Sequence, residues 1–365
     1  MRFVFVSYHY SADIHSPAEW VNRLRFYIGS LELLAKTNTV IRIDQINYKG
    51  NFTHNGVQYY CIKDRKGENF LPLKLHRFVK SLQPDIIVVS SLLYPLQVIQ
   101  LRYSLGKKVK IILQNHAERP SGGIKRFIQR LADKYVNAYF FASREMGLGW
   151  VKLGNLSSIN KIYEIMEVSS VFYPIDKTVA KLHTGVNGNY IFLWVGRLNI
   201  NKDPLTVVKT FLTFVQKYAQ ARLYMIYQTT ELLVQVQKLL AKENYHSPVI
   251  LIGGVAHTDM LYWFNSADFI LSGSHYEGSG TAVCEAMSCG CIPIVTNIFS
   301  YRTITSNGDC GVLYTAGDEQ ALLIAMEKAI NLNLSEQSIK ALAQFNKELS
   351  FEIIANKIEK VAASL

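Results

Sequence analysis

Along this chain, short runs of β-branched and aromatic residues alternate with amphipathic stretches of helical length, in two successive series. Such alternation predicts parallel sheets covered by helices on both faces, because neighbouring parallel strands must be joined by a crossover long enough to hold a helix. The first series places strands at Arg2–Ser7, Val40–Asp44, Val57–Ile62, Asp85–Ser90, Val109–Gln114, Ala138–Ala142 and Ile162–Glu167. The second places them at Tyr190–Val195, Arg222–Tyr227, Val249–Ile252, Phe269–Leu271, Ile292–Val295 and Gly311–Tyr314. Tyr173-Pro174 and Thr184-Gly-Val-Asn-Gly-Asn189 break the pattern between them. The expected architecture is α/β, with two doubly wound, Rossmann-like domains at 1–175 and 176–350 and a last helix at 351–365. A chain of 365 residues, 49% of them apolar, has the material for two such cores.

No window reaches the roughly 18 unbroken apolar residues of a membrane span. The opening MRFVFVSYHY turns polar too soon for a secretory leader and reads as a first buried strand. Five cysteines, odd in number and mostly within apolar runs, predict reduced thiols and a cytoplasmic protein. Cys289-Gly-Cys291 is too tight for a zinc pair, so no metal site is expected.

The net charge of +11 is unevenly placed: residues 1–175 carry +12 and residues 176–365 carry −1. Two basic segments of the first half, Trp20–Ile28 and Ile124–Leu131, mix cations with apolar residues at helical spacing. Either they meet an anionic membrane surface, or they are solvated helices whose apolar stripes pack on a sheet. No recognition motif accompanies the charge, and nucleic acid is not an expected partner.

Residues Glu277-Gly-Ser-Gly-Thr-Ala-Val-Cys-Glu285-Ala-Met-Ser-Cys-Gly290 set two acids, eight positions apart, around a glycine-containing turn that opens a short helix. The backbone N–H groups of such a turn and the positive end of the helix dipole suit a phosphate, while carboxylates accept from hydroxyls. A capping box does not account for the acid, because Thr281 and Glu285 are four apart where the box needs three. A second constellation, Tyr190-Ile-Phe-Leu-Trp-Val-Gly196-Arg197, is a buried strand ending in a glycine and a cation, with Lys202-Asp203-Pro204 following. Beyond the carboxyl end of a parallel strand, Arg197 and Lys202 would stand where open sheets bind ligands. They could neutralise a diphosphate, or be solvent-facing loop cations. Asp203-Pro204 reads as an N-cap with proline at the first helical position.

These pieces in order, with Ala267-Asp268-Phe-Ile-Leu-Ser272, Glu285 to Pro293 and Gly311 to Asp318, resemble the retaining glycosyltransferases of the GT-B fold, family 4. The likeness runs from about Tyr190 to Asp318; the first half shares the alternation of elements and little else. It implies two Rossmann-like domains facing across a cleft, with the C-terminal helix crossing back to the first. It further implies that Arg197 and Lys202 hold the donor diphosphate and that Glu285 accepts from ribose hydroxyls. Glu277 would meet the transferred sugar beside the Gly278, Ser279, Gly280 and Thr281 backbone, with Gly254 and Val255 next to the base. His116, after the strand Val109–Gln114, matches the histidine that lines the reaction centre in this family, and His9 and His15, in the first loop, would meet the acceptor.

The chain departs from the family pattern in its first loop, where Ser11-Ala-Asp-Ile-His-Ser16-Pro17-Ala18-Glu19 replaces a glycine pair. Ser16 to Glu19 still fits a capping box. It departs again after Arg222–Tyr227, where Gln228-Thr229-Thr230 replaces a glycine-rich turn.

The implied activity is metal-independent, retaining hexosyl transfer from a UDP- or GDP-sugar to a saccharide or lipid-linked acceptor. It would serve surface polysaccharide or glycolipid synthesis, with the enzyme peripheral on the inner face of the plasma membrane and no cofactor besides the donor. A catalytically silent sugar-nucleotide or partner-binding protein, or a sugar-nucleotide epimerase on the same fold, are the other readings.

Overall fold

The computed structural model describes residues 1–63, 70–241 and 247–365, which form two compact units, Met1–Ser169 with Phe351–Leu365, and Ser170–Ser350. Each is built on one sheet. The first sheet holds β1 (Arg2–Ser11), β2 (Thr39–Ile46), β3 (Gly50–His54), β4 (Val57–Ile62), β5 (Ile86–Ser90), β6 (Lys110–Gln114), β7 (Ala138–Phe141) and β8 (Ile162–Glu164). Their order is β3-β4-β2-β1-β5-β6-β7-β8, parallel except for the antiparallel edge pair of β3 with β4.

The second sheet holds β9 (Tyr190–Gly196), β10 (Ala221–Tyr227), β11 (Val249–Gly253), β12 (Phe269–Ser272), β13 (Ile292–Thr296) and β14 (Val312–Tyr314), in the order β11-β10-β9-β12-β13-β14 and parallel throughout. In both sheets the chain winds outward from one strand and then restarts on its other side. The crevice at that reversal, where loops leave in opposite directions, is where open α/β sheets bind ligands. It falls between β1 and β5 in the first unit and between β9 and β12 in the second.

The central strands are hydrophobic on both faces, as cover by helices on both sides requires. Phe3, Val4, Phe5 and Val6 of β1 are buried without a break. In the second unit Phe192 of β9 stacks on Phe269 of β12 at 4.7 Å between ring centres and meets Phe211 edge-on at 5.3 Å. The Ser170–Ile175 segment belongs with this core: Phe172 packs against Phe264, and the Ile175 N–H donates to Asn265 at 2.8 Å.

Three expectations are corrected. β3 was not expected; it pairs with β4 across the Asn55-Gly56 turn. β1 runs on to Ser11, because a register shift after Val6 lets Tyr10 and Ser11 pair with Gln45 and Ile46. His9 therefore lies in a strand and not in the first loop. The strand expected at Ile162–Glu167 ends at Glu164.

The helix Pro17–Arg23 starts as read, with Ser16 accepting from the Glu19 N–H at 3.3 Å. The Glu19 carboxylate, however, accepts from the His15 N–H at 2.8 Å, so only half of a capping box is made. The last helix, Phe351–Ser364, lies in the first unit on the helix Arg25–Leu34. Its contact depends on Gly29, where a Cβ would come within 2.6 Å of the Phe351 ring. All five cysteines are free and buried.

Candidate functional site

In the second unit the loops beyond β9 and β12 are laced together at the reversal point. The His275 N–H donates to the Asn201 carbonyl at 2.8 Å, and Asn201 Nδ2 returns a bond to the Tyr276 carbonyl at 2.9 Å. Lys202 Nζ donates to Glu277 at 2.5 Å and His275 Nε2 to Asp203 at 3.3 Å. Lys202 and Glu277, read separately from the sequence, are thus one ion pair, three-quarters or more withdrawn from solvent. Asp203 caps the helix Pro204–Phe214 by accepting from the Thr206 N–H, with Pro204 at the first helical position. Arg197 differs from its neighbour: it is exposed, and among the described residues its guanidinium has no hydrogen-bond or ion-pair partner.

The turn Gln228–Thr230 also serves this loop. Thr229 Oγ1 accepts from the Leu198 N–H at 3.0 Å, fixing the backbone next to Arg197.

The helix Thr281–Ser288 opens from Gly280 without any side-chain cap. Its Glu285 is buried among Val283, Cys284, Ala286 and Met287 and does not serve the helix start. It accepts instead from His257 Nε2 at 2.8 Å. His257 follows the turn Gly253-Gly254-Val255 and lies on the Phe172 ring at 4.7 Å. One hydrogen bond therefore joins the turn beyond β11 to the helix beyond β12. Below the glycine turn, Tyr301 is buried with its hydroxyl 2.7 Å from Ser272 Oγ. Burial, reinforced by the Glu277 charge, holds that phenol well above its ordinary pKa, so it stays a neutral hydrogen-bonding group.

In the first unit a cavity of about 370 Å³ opens at the other reversal point, with Ser7 and His9 of β1 and Ser90 and Ser91 at the end of β5 on its wall. His116, Glu118 and Glu167 line it together with Tyr27, Arg42 and Tyr94. His116 Nδ1 donates to the Glu167 carboxylate. The His116 N–H and Asn115 Nδ2 both donate to Glu118, at 2.6 and 2.7 Å. Burial pulls the His116 pKa down, but the charge and hydrogen bond of Glu167, with the charge of Glu118, outweigh it and leave the pKa raised. His116 Nε2 and Arg42 Nη1 are buried and have no hydrogen-bond partner among the described residues, so two polar atoms stand ready at this cavity.

Arg42 is held by Asp44 at 2.7 Å, and Asp44 also accepts from Trp20 Nε1 at 2.7 Å. His15 does not line the cavity; it is exposed, with its ring 3.0 Å from Asn47 Nδ2.

Residues 180–347 match the family described as Glycosyl transferases group 1. The matched stretch falls within the second unit, Ser170–Ser350. The chain is 25% identical over 190 residues to the capsular polysaccharide biosynthesis glycosyltransferase CapM of Staphylococcus aureus, an alignment covering 51% of this chain and 49% of that one. It is 22% identical over 279 residues to the lipopolysaccharide core biosynthesis mannosyltransferase LpsB of Rhizobium meliloti, covering 74% of this chain and 76% of the other.

Among solved structures, a glycosyltransferase from Rickettsia africae superposes with a TM-score of 0.77 at 15% identity, over 100% of this chain and 98% of the other. HepE of Anabaena, crystallised with UDP and glucose, superposes with a TM-score of 0.72 at 14% identity over the whole of both chains. The fold is GT-B.

Within the second unit, Arg197, Lys202, Glu277 and Gly278 to Gly280, with Gly254 and Val255, come from loops beyond the carboxyl edge of one sheet, and Thr281 and Glu285 from the helix that follows β12 there. His9 and His116 share the first unit's cavity. Sequence reading missed His257, Thr229 and Glu167. Of these, only His257 had a local signal, its place immediately after a glycine turn at a strand end.

Proposed function

We propose that this chain is a retaining, family 4 glycosyltransferase that moves a hexose from a UDP- or GDP-sugar to a saccharide or lipid-linked acceptor in cell-surface polysaccharide or glycolipid synthesis. The observation that carries this reading is the Lys202–Glu277 pair, set with Arg197, which has no partner among the described residues, at the reversal point of the second unit. Arg197 and Lys202 take the donor diphosphate and supply the positive charge that a metal ion supplies elsewhere. Glu277 holds Lys202 in place and accepts from hydroxyls of the transferred sugar. Glu285, fixed by His257, accepts from the ribose, and the Gly254-Val255 turn borders the base.

In the first unit His116, positioned by Glu167, lines the reaction centre, and His9 belongs to the acceptor side. Catalysis then lies in orientation and in stabilising the departing diphosphate, with no general base assigned. CapM and LpsB, by their names, act in capsule and lipopolysaccharide synthesis, and HepE was crystallised with UDP; these support the class of donor and product. Among the described residues no helix is long and apolar enough to cross a membrane. The site of action we propose is the cytoplasmic membrane surface, reached through the basic first unit.

The test is transfer by the purified protein from a set of UDP- and GDP-sugars, with the anomeric configuration of the product read by NMR. Arg197→Ala and Glu277→Ala should each lower turnover by about 10²–10³, the range for removing one group that stabilises the transition state. Unchanged turnover in both would refute the assignment.

A further inference from the structure

The helix Gly123–Asp133 leaves half of its apolar stripe open to solvent. At about 100° per residue, Ile124, Phe127, Ile128 and Leu131 form one apolar stripe, and a helix beside a sheet ordinarily buries such a stripe. Here the fully buried positions are Gln129, Ala132 and Asp133, Ile128 and Leu131 are half-buried, and Ile124 is 77% and Phe127 63% exposed. Polar bonds fix this orientation. Asp133 accepts from the Tyr139 hydroxyl at 3.0 Å and from the Ser157 N–H at 3.1 Å, and Arg126 donates to the Leu153 carbonyl at 3.2 Å. Arg130 donates to the carbonyl of Leu156. The other basic segment behaves oppositely: Trp20, Tyr27 and Ile28 are buried, while Arg23 is exposed and Arg25 half-buried.

Lys125 flanks the stripe on one side and Arg126 and Arg130 on the other, and Leu153, beside Arg126, is 53% exposed. The only acid of the helix, Asp133, is buried. Two copies meeting through this face would bring cations against cations with no acid to offset them. An anionic bilayer surface satisfies both parts, because apolar side chains enter among the acyl chains while the cations meet lipid phosphates.

We propose that the helix Gly123–Asp133 is an interfacial anchor that seats the first unit on an anionic lipid bilayer, with Ile124 and Phe127 inserted. This rests on the membrane location proposed above but not on the transfer chemistry.

The experiment is sedimentation of the full chain with vesicles of equal parts phosphatidylglycerol and phosphatidylcholine, and with phosphatidylcholine alone. The wild type should pellet with the anionic vesicles and be released by salt. The Ile124→Ser, Phe127→Ser double variant should lose partitioning by about tenfold or more. Its thermal melting and its transfer to a soluble acceptor should match the wild type, since both side chains are exposed. Lys125→Glu should weaken binding to anionic vesicles and leave the neutral ones unaffected.

Failure of the wild type to bind anionic vesicles, or equal binding by the double variant, would overturn the proposal. So would a dimer that the double variant converts to monomer. A protein that transfers sugar without binding vesicles refutes the anchor alone; one that binds vesicles without transfer refutes the activity alone.

Discussion

Gly280 combines a left-handed backbone with a packed aromatic neighbour, and Gly280→Ala tests the geometry of the glycine turn directly. Gly280 has φ +59° and stands at the start of the helix Thr281–Ser288, where a Cβ would lie 2.6 Å from Tyr301 Cε1. An L-residue in the left-handed region costs about 1–2 kcal/mol. Forcing one methyl into a packed contact costs about 1–3 kcal/mol more, and Tyr301 cannot swing away without losing its bond to Ser272. The sum, about 2–5 kcal/mol, is a large part of the ~5–15 kcal/mol that holds a domain folded. At about 2–4 °C per kcal/mol for a unit of this size, Tm should fall by about 4–20 °C. Gly254→Ala is the control from the same proposed site: Gly254 is exposed, and the nearest atom to its Cβ would be the Tyr227 carbonyl oxygen at 3.9 Å. Its effect should stay within about 0.5 kcal/mol. Differential scanning calorimetry with and without UDP measures both quantities, stability and donor affinity. A Gly280→Ala protein that melts and binds UDP as the wild type does would show that neither the left-handed start nor the Tyr301 contact shapes this turn.

The fold could be read from the sequence because parallel strands buried on both faces leave uninterrupted apolar runs, such as Phe192-Leu-Trp194 and Ile111-Ile-Leu113. β3 escaped for the opposite reason. It is an edge strand, Gly50-Asn-Phe-Thr-His54, mostly polar and half open to solvent, so it has no hydrophobic signature. Its one signal was the Asn55-Gly56 turn, a strong hairpin marker. The proposed donor-site residues could be read because each follows a strand end or a glycine. Their pairings could not: Lys202 and Glu277 are 75 residues apart and His257 and Glu285 28, and in the first unit His116 and Glu167 are 51. The Gly123–Asp133 helix marks the same limit. Periodicity shows that its apolar stripe exists, but which face the unit buries is decided by Asp133 finding partners inside, and no spacing in the sequence encodes that.

His257→Ala should leave the buried Glu285 carboxylate without this donor and weaken donor binding by about 1–3 kcal/mol, with His257→Gln restoring part of it; titration calorimetry with UDP reads both. Gly29→Val should press on the Phe351 ring and cost about 1–3 kcal/mol, seen as earlier proteolysis within Phe351–Ser364 than in the wild type. His76, buried against Tyr8 at 2.8 Å, has its pKa lowered by burial to about 4, so the fold favours its neutral form. That contribution is complete above the ordinary value of 6.5 and is lost as pH falls toward about 4, and His76→Phe should flatten the acid limb of a urea-stability profile. His116 has the opposite sign. Its folded pKa is raised, so the fold binds this proton more tightly than the unfolded chain does. The resulting stability is complete below 6.5 and is lost as pH rises through the higher folded value. The stability difference between wild type and His116→Asn should therefore be largest in mild acid and shrink on the alkaline side. Glu167→Gln should shrink it throughout, because burial then acts on His116 with its principal offset removed. A difference that is flat with pH, or that grows toward alkaline pH, would mean that Glu167 does not hold the His116 imidazolium in the folded protein.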